Sequence, residues 1–306
     1  MATQRFTHGD HVWYDITDPT IHDIAGIRRT FPQISELNLE DALSIIERPK
    51  YDQEDDYLFI VLQFPLWDAA TKLTRGSEVD FFVMKHAVIT IHDGVLKPLR
   101  VLAEACSGNA ELRAKLLGGS TVHFLYVALD RLTDYMFPIL NKIGAQITRI
   151  EENIFEPQGE MQLIREISLV RRDAMANRRI IHHMLPIMQQ IEHRIAKYVS
   201  GDLEDYFGDI VDHVQKAKDE IDEHVEVINA LTDTADTLLT HRLNSVIRIL
   251  TVISTIMLPL SIVVGAFGMN VSLPFENEPN AFMIISGIMI AISVTMLGYF
   301  RYRRWL

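Results

Sequence analysis

Two uncharged stretches near the C-terminal end constrain this chain more than anything else in it. Ile249–Phe267 reads ILTVISTIMLPLSIVVGAF and Ala281–Phe300 reads AFMIISGIMIAISVTMLGYF, nineteen and twenty residues without an Asp, Glu, Lys or Arg. A helix needs about 20 such residues to cross a hydrocarbon core of about 30 Å. A pair of buried helices in a soluble core is the alternative, but stretches this long and clean are rare in globular domains. The reading is two transmembrane helices in contact with membrane lipid.

The flanking charges orient them. Arg242 and Arg248 precede the first span; Arg301, Arg303 and Arg304 follow the second, with Tyr299, Tyr302 and Trp305 as interfacial anchors. The connecting loop, GMNVSLPFENEPN, holds Glu276 and Glu278 and no Lys or Arg. By the positive-inside rule both ends face the cytoplasm and the loop faces outward. The start, MATQRFTHGDHVWYD, has no basic cap followed by an apolar stretch, so no cleaved leader is expected and the N-terminus stays in the cytoplasm. The expected location is a prokaryotic plasma (inner) membrane. A net charge of −12 argues against nucleic acid as a partner, because phosphate binding needs a basic face. The single cysteine, Cys106, excludes an internal disulfide and a cysteine-rich metal site.

The first 120 residues mix strand-like and helix-like segments. Tyr57–Phe64 and Asp80–His92 are rich in β-branched and aromatic residues and read as strands; Leu37–Ile46 and Leu96–Cys106 have helical spacing. Together they predict an α/β domain with a central sheet. From Ser120 onward strand signals vanish. Residues 121–155 and 160–198 predict two long antiparallel helices, separated by a turn at Pro157-Gln158-Gly159, with a kink in the second at Pro186. After a loop around Ser200–Gly208 there is no proline until Pro259 and no glycine until Gly265. Ile210, Val214, Ala217, Ile221, Val225, Ile228 and Leu231 recur at helical spacing, so one stalk helix of roughly 85–90 Å is expected from near Asp209 to Phe267. The expected parts are thus an α/β domain (1–120), a long-helix pair (121–200), a stalk (201–245) and a membrane domain (246–306). The membrane domain holds spans at about 249–267 and 281–300 and an outer loop at 268–280. The stalk is densely acidic, with Lys216 and Lys218 its only lysines. A solvated face of a bundle explains this; an acidic collar that collects or senses metal is the sharper reading.

Set at 100° intervals, Ile247, Leu250, Ser254, Leu258, Ser261 and Gly265 fall within about 80° of one another, and Asn244 borders the arc. Packed around an axis, such a stripe lines a narrow conduit with a hydrophobic constriction and oxygen donors. Ordinary helix packing uses small and hydroxyl residues too.

At the outer end of this helix stands Gly268-Met269-Asn270, closing the first span and opening the acidic loop. With PLSIVVGAFGMN (Pro259–Asn270), ERPKYDQEDDYLFIVL (Glu47–Leu62) and HFLYVALDRLTDYMFPIL (His123–Leu140), this resembles the CorA family of divalent cation channels over most of the chain, in the same order. The resemblance implies a homopentamer with a funnel-shaped cytoplasmic part, transporting Mg²⁺, with Co²⁺ or Ni²⁺ as further candidate cargo. It implies a ring of Asn270 at the outer mouth, where neutral amide oxygens hold the waters of an ion that dehydrates reluctantly. Gly268 lets the chain turn, and Glu276 and Glu278 raise the local cation concentration. Asn244, Ile247, Leu250, Leu258 and Ser261 fall on the family's pore-lining positions, with Met and Thr common where Ile247, Leu258 and Ser261 stand. The family also senses cytoplasmic Mg²⁺ through acidic residues between protomers, a role that would fall to Asp209.

Two other functions fit parts of this pattern. The same superfamily includes zinc transporters, but the twelve histidines show no His-x₃-His pattern. A membrane-anchored scaffold explains the spans but not the hydroxyl-bearing stripe. No nucleotide-binding or hydrolase motif is present, so an enzyme is not expected.

Overall fold

The computed structural model describes residues 2–43, 48–156, 160–195, 203–269 and 280–305. It divides into two compact units, Met1–Thr232 and Asp233–Leu306.

The first unit is an α/β layer structure. Its strands are β1 (Ala2–His8), β2 (His11–Thr17), β3 (Lys50–Gln53), β4 (Tyr57–Asp68), β5 (Leu73–Met84) and β6 (Ala87–His92). They form one sheet in the order β1-β2-β6-β5-β4-β3, antiparallel except for the parallel pair β2 and β6. A parallel neighbour requires a long crossover, and here it carries α1 (Ile21–Thr30), α2 (Glu36–Asp41) and the meander β3 to β5. A capping box starts α1: the Thr20 hydroxyl accepts from Asp23 N, and the Asp23 carboxylate accepts from Thr20 N. Side-chain alternation then sorts the sheet residues. Ile16, Phe59, Val61, Phe82, Ile89 and Ile91 form one face, packed with Ile24, Ile27, Leu39 and Ala42 of the α1–α2 segment. The opposite face carries Trp13, whose ring lies 4.6 Å from that of Phe124. Residues Tyr57–Leu62 are all buried, which is why this segment reads as an unbroken apolar run.

Next to Trp13 the sheet buries a polar chain. The Trp13 indole donates to Thr90 (2.9 Å), Thr90 donates to Asp15 (2.7 Å), and His92 Nε2 lies 2.9 Å from the same Asp15 oxygen. Gly94 N–H donates to His92 Nδ1 at 3.0 Å, so the proton sits on Nε2 and is donated to Asp15. Each polar group here has a partner, which makes its burial tolerable.

Helices α3 (Lys97–Gly108), α4 (Ala110–Leu117), α5 (Thr121–Asp134), α6 (Phe137–Asn153) and α7 (Glu160–Ile195) follow, and then α8 (Leu203–Phe267), which continues into the second unit. The helix α9 (Ala281–Tyr302) completes it. Cys106 is fully buried, and burial pushes its thiol up to about 11, so it is an inert core residue.

The structure refines several expectations. The expected strand 80–92 is the end of β5 plus all of β6, joined by Lys85-His86. Neither residue is a Gly, Asn or Asp, so the turn left no punctuation in the sequence. The expected helix 121–155 is two helices. Pro138 has no N–H to bond the carbonyl of Asp134, and the chain is interrupted at Tyr135-Met136. Helix α7 runs unbroken through Pro186, and α8 runs through Pro259. Helix α8 starts at Leu203 rather than near Asp209, and α2 ends at Asp41, well short of Ile46. Strands β1 to β3 and helices α1 and α4 had no expectation. The turn at Pro157-Gln158-Gly159, and Asn270, Glu276 and Glu278, lie outside the described residues.

Candidate functional site

Helices α8 and α9 are each long and apolar enough to cross a membrane, and almost none of either apolar segment is buried. The core helices of a soluble protein would be covered; these have apolar surface turned outward, which needs lipid or further copies of the chain to cover it.

Exposure along α8 resolves two faces. The shielded residues are Val252, Ile256, Pro259, Leu260, Val263 and Ala266. At 100° per residue they centre roughly 170° from the stripe expected from the sequence. That stripe is uncovered throughout: Asn244, Ile247, Leu250, Ser254, Leu258, Ser261 and Gly265 are all exposed, Leu258 to 63%. A Cβ added at Gly265 would meet nothing within 4 Å, so this glycine keeps the face slim rather than answering a neighbour.

The hydroxyls of the span fall into two groups. Thr251 and Thr255, at the Asn244 edge of the stripe and just beyond it, donate back to the carbonyls of Ile247 and Thr251 at 2.7 Å each, which leaves little for a passing ion. Among the described residues, Ser254 and Ser261 make no such bond. Their oxygens are presented on an otherwise apolar face.

The helix ends as its sequence requires. Gly268 N donates to Val264 O at 2.9 Å and Met269 N to Ala266 O at 3.3 Å. A Cβ on Gly268 would lie 3.2 Å from Val264 O, so the glycine permits the tight last turn. Gly268 and Met269 are both exposed.

In the first unit, Asp209 lies on α8 with its carboxylate 3.8 Å from His213 Nε2. His213 Nδ1 lies 3.7 Å from Asp134 on α5. One ligand atom each from Asp130, Asp134 and His213 falls within 4.8 Å of the others, spacing suited to a single metal ion. Burial, then the neighbouring Asp134, pushes the Asp130 carboxyl above its ordinary value. The sequence singled out Asp209 but not Asp130, Asp134 or His213, the three whose ligand atoms lie at metal spacing. The signal was there: Asp130/Asp134 and Asp209/His213 are both i, i+4 pairs, each presenting two donors on one helix face. Their meeting depends on tertiary packing.

Comparison with known proteins gives the family. The sequence model of the family described as CorA-like Mg2+ transporter protein matches residues 8–303. The cobalt/magnesium transport protein CorA of Thermotoga maritima is 26% identical over 305 residues, covering 95% of this chain and 85% of that protein. The putative metal ion transporter YfjQ of Bacillus subtilis is 28% identical over 310 residues, covering 100% and 93%. The solved structure of the CorA magnesium transporter from Methanocaldococcus jannaschii superposes with a TM-score of 0.83 at 20% identity, covering 100% of this chain and 95% of that one, a likeness of fold. With a family match over nearly its whole length and two C-terminal spans, the chain is a membrane protein that belongs to the CorA-like family of divalent cation transporters.

Proposed function

We propose that this protein is a homopentameric channel that carries Mg²⁺ inward, down its electrochemical gradient, along the stripe Asn244 to Gly265 of α8. The observation that carries the reading is the uncovered stripe, opposite the shielded face of the same helix, with two unbonded serine hydroxyls among aliphatic side chains. In this reading copies of the stripe surround the axis. Leu250 and Leu258 form a constriction that dewets when narrow, and Asn244, Ser254 and Ser261 supply oxygens between the apolar levels. Asn270 forms the ring at the outer mouth. Carboxamide oxygens accept hydrogen bonds from the waters of Mg²⁺ without stripping them, and neutral groups release the ion where carboxylates would hold it. Glu276 and Glu278 enrich cations there. The four-part division of the chain and cytoplasmic placement of both termini belong to the same reading.

The cluster Asp130, Asp134, Asp209 and His213 is a regulatory cation site in this account. Carboxylates suit Mg²⁺, which would keep most of its waters; an imidazole nitrogen suits Co²⁺ or Ni²⁺ better. The T. maritima relative named for cobalt and magnesium supports both ions as ligands of such a protein.

The test is ion flux into proteoliposomes. Mg²⁺ entry without nucleotide, abolished by Asn270→Ala, is the expected result. Uptake that requires ATP, or that is indifferent to Asn270→Ala, overturns the channel reading. Zn²⁺ entry well above that of Mg²⁺ reassigns the cargo.

A further inference from the structure

We propose that the end of α9 is a binding site for an anionic phospholipid, its phosphate held by Arg301 and Arg304, with Arg303 adding to the local positive potential, and its acyl chains lying along Ile290, Val294 and Leu297.

The local backbone points first to the arginines. Trp305 N donates to Phe300 O at 3.0 Å and Arg304 N to Arg301 O at 3.1 Å, the paired bonds of a Schellman cap. The cap places Arg304 in the left-handed region at φ 57°, and the Trp305 ring packs 5.8 Å from that of Phe300. Glycine adopts this conformation freely, and an L side chain does not. Closing the helix therefore does not by itself call for an arginine at this position. The basic flank of a span does, and the anion such a flank meets at a membrane surface is a lipid phosphate.

The charges give the second argument. Arg301, Arg303 and Arg304 are exposed, and among the described residues none has a carboxylate partner. Three guanidinium groups within four residues concentrate positive charge at this end of the helix, which attracts an anion. Arg242, Arg248, Arg301, Arg303 and Arg304 carry all the formal positive charge between Asp233 and Leu306; there is no lysine. The guanidinium fork matches two phosphate oxygens at once, which an ammonium cannot do.

The third argument selects a lipid over free phosphate. Ile290, Val294, Leu297 and Arg301 are spaced by four, three and four residues, so they share one face of α9. The three apolar residues are 63%, 63% and 45% exposed. The face is an apolar track that ends in a cation, the pattern of a phospholipid read from tail to headgroup. Tyr302 and Trp305 flank the cation at the depth where aromatic residues anchor at membrane interfaces.

The test uses the full-length chain in a neutral detergent, titrated with phosphatidylglycerol or phosphatidylcholine. Bound lipid is counted by native mass spectrometry, and folding is followed by thermal melting. Preferential retention of phosphatidylglycerol is expected. Arg304→Gly should weaken it roughly five-fold, the loss of about 1 kcal/mol per arginine near a membrane surface. The same variant should melt no lower than the parent, because glycine fits the cap. Arg303→Lys/Arg304→Lys, with charge kept and forks lost, should also bind more weakly. Equal retention of the two lipids, or unchanged phosphatidylglycerol binding in Arg304→Gly, overturns the proposal. Displacement of the lipid by millimolar inorganic phosphate overturns the lipid assignment. Flux through Asn270 is read separately, so failure here is distinct from failure of the channel reading.

Discussion

The carboxylate of Asp222 on α8 accepts a hydrogen bond from Nε of Arg178 on α7 at 2.6 Å. It also meets His182 Nε2 at 3.0 Å and the Lys218 ammonium at 3.0 Å, so one carboxylate ties three cationic or protonatable groups across two helices. Partial burial pushes its pKa up, but the hydrogen bonds from Lys218, His182 and Arg178 outweigh this and hold it at about 2.

Asp222→Asn should therefore cost about 1–2 kcal/mol, a hydrogen-bonded ion pair discounted for its partial exposure. The folded-state pKa lies below the ordinary carboxylate value, so the stabilisation is present above about pH 4 and is lost as pH falls toward 2. Melting of parent and variant between pH 7 and pH 3 should converge toward the acid end. A constant difference across that range would show that the pair is not what links α7 to α8.

Asp173 titrates in the opposite sense. It is buried on α7 and accepts from Thr74 N through one oxygen; its other oxygen has no partner, and neither has Asn177 Oδ1 one turn later. The Asn177 amide nitrogen donates to Asp173 O at 3.0 Å, which turns its oxygen away from that carbonyl. Burial raises the Asp173 pKa, against the lowering effects of Thr74 and of Lys142, the one charged group acting on it. A raised folded pKa means the stabilisation is full below the ordinary value and is lost as pH rises through the folded value. Asp173→Asn keeps an acceptor for Thr74 and adds a donor. It should raise the melting temperature at pH 8 by a few degrees, an effect of about 1 kcal/mol, and by less at pH 5. A lower melting temperature at both pH values would refute this.

Gly144 on α6 stands where a Cβ would lie 3.0 Å from His224 Nε2 on α8. Burial pushes the His224 pKa down, partly offset by Glu220 and Glu223, so a neutral ring is packed at this crossing. Gly144→Ala should destabilise by about 1–3 kcal/mol through overpacking. Thermal or denaturant melting checks this, and a smaller second residue at position 224 should recover part of the loss.

In the span, Leu258→Asn should wet the constriction and raise basal Mg²⁺ flux. A change of about 1.4 kcal/mol in the barrier gives about tenfold. Ile253→Asn, exposed but about 100° round the helix from the centre of the stripe, should not raise it. Equal effects would count against the assigned pore face.

His213→Ala should weaken Co²⁺ binding to the full-length protein by on the order of 10–100-fold, with a smaller effect on Mg²⁺. Isothermal titration of both ions separates this from a general loss of folding. Equal loss for the two ions would remove His213 from the donor set.

Residues 249–267 and 281–300 were legible because a membrane asks only for length and freedom from charge, properties carried by the sequence itself. The stripe from Asn244 to Gly265 was legible for a similar reason: a helix has one period, so residue spacing alone decides which side chains share a face. Beyond these, local signals ran out. Lys85-His86 turns a hairpin without turn-forming residues, and the β2–β6 pairing joins segments seventy residues apart through contacts no local pattern encodes. The proximity of Asp134 to His213, and the loading of Asp222 by three partners, belong to this second kind. Each depends on where two separate helices pack. Periodicity determines the face of an element, and only the packing of elements determines which faces meet.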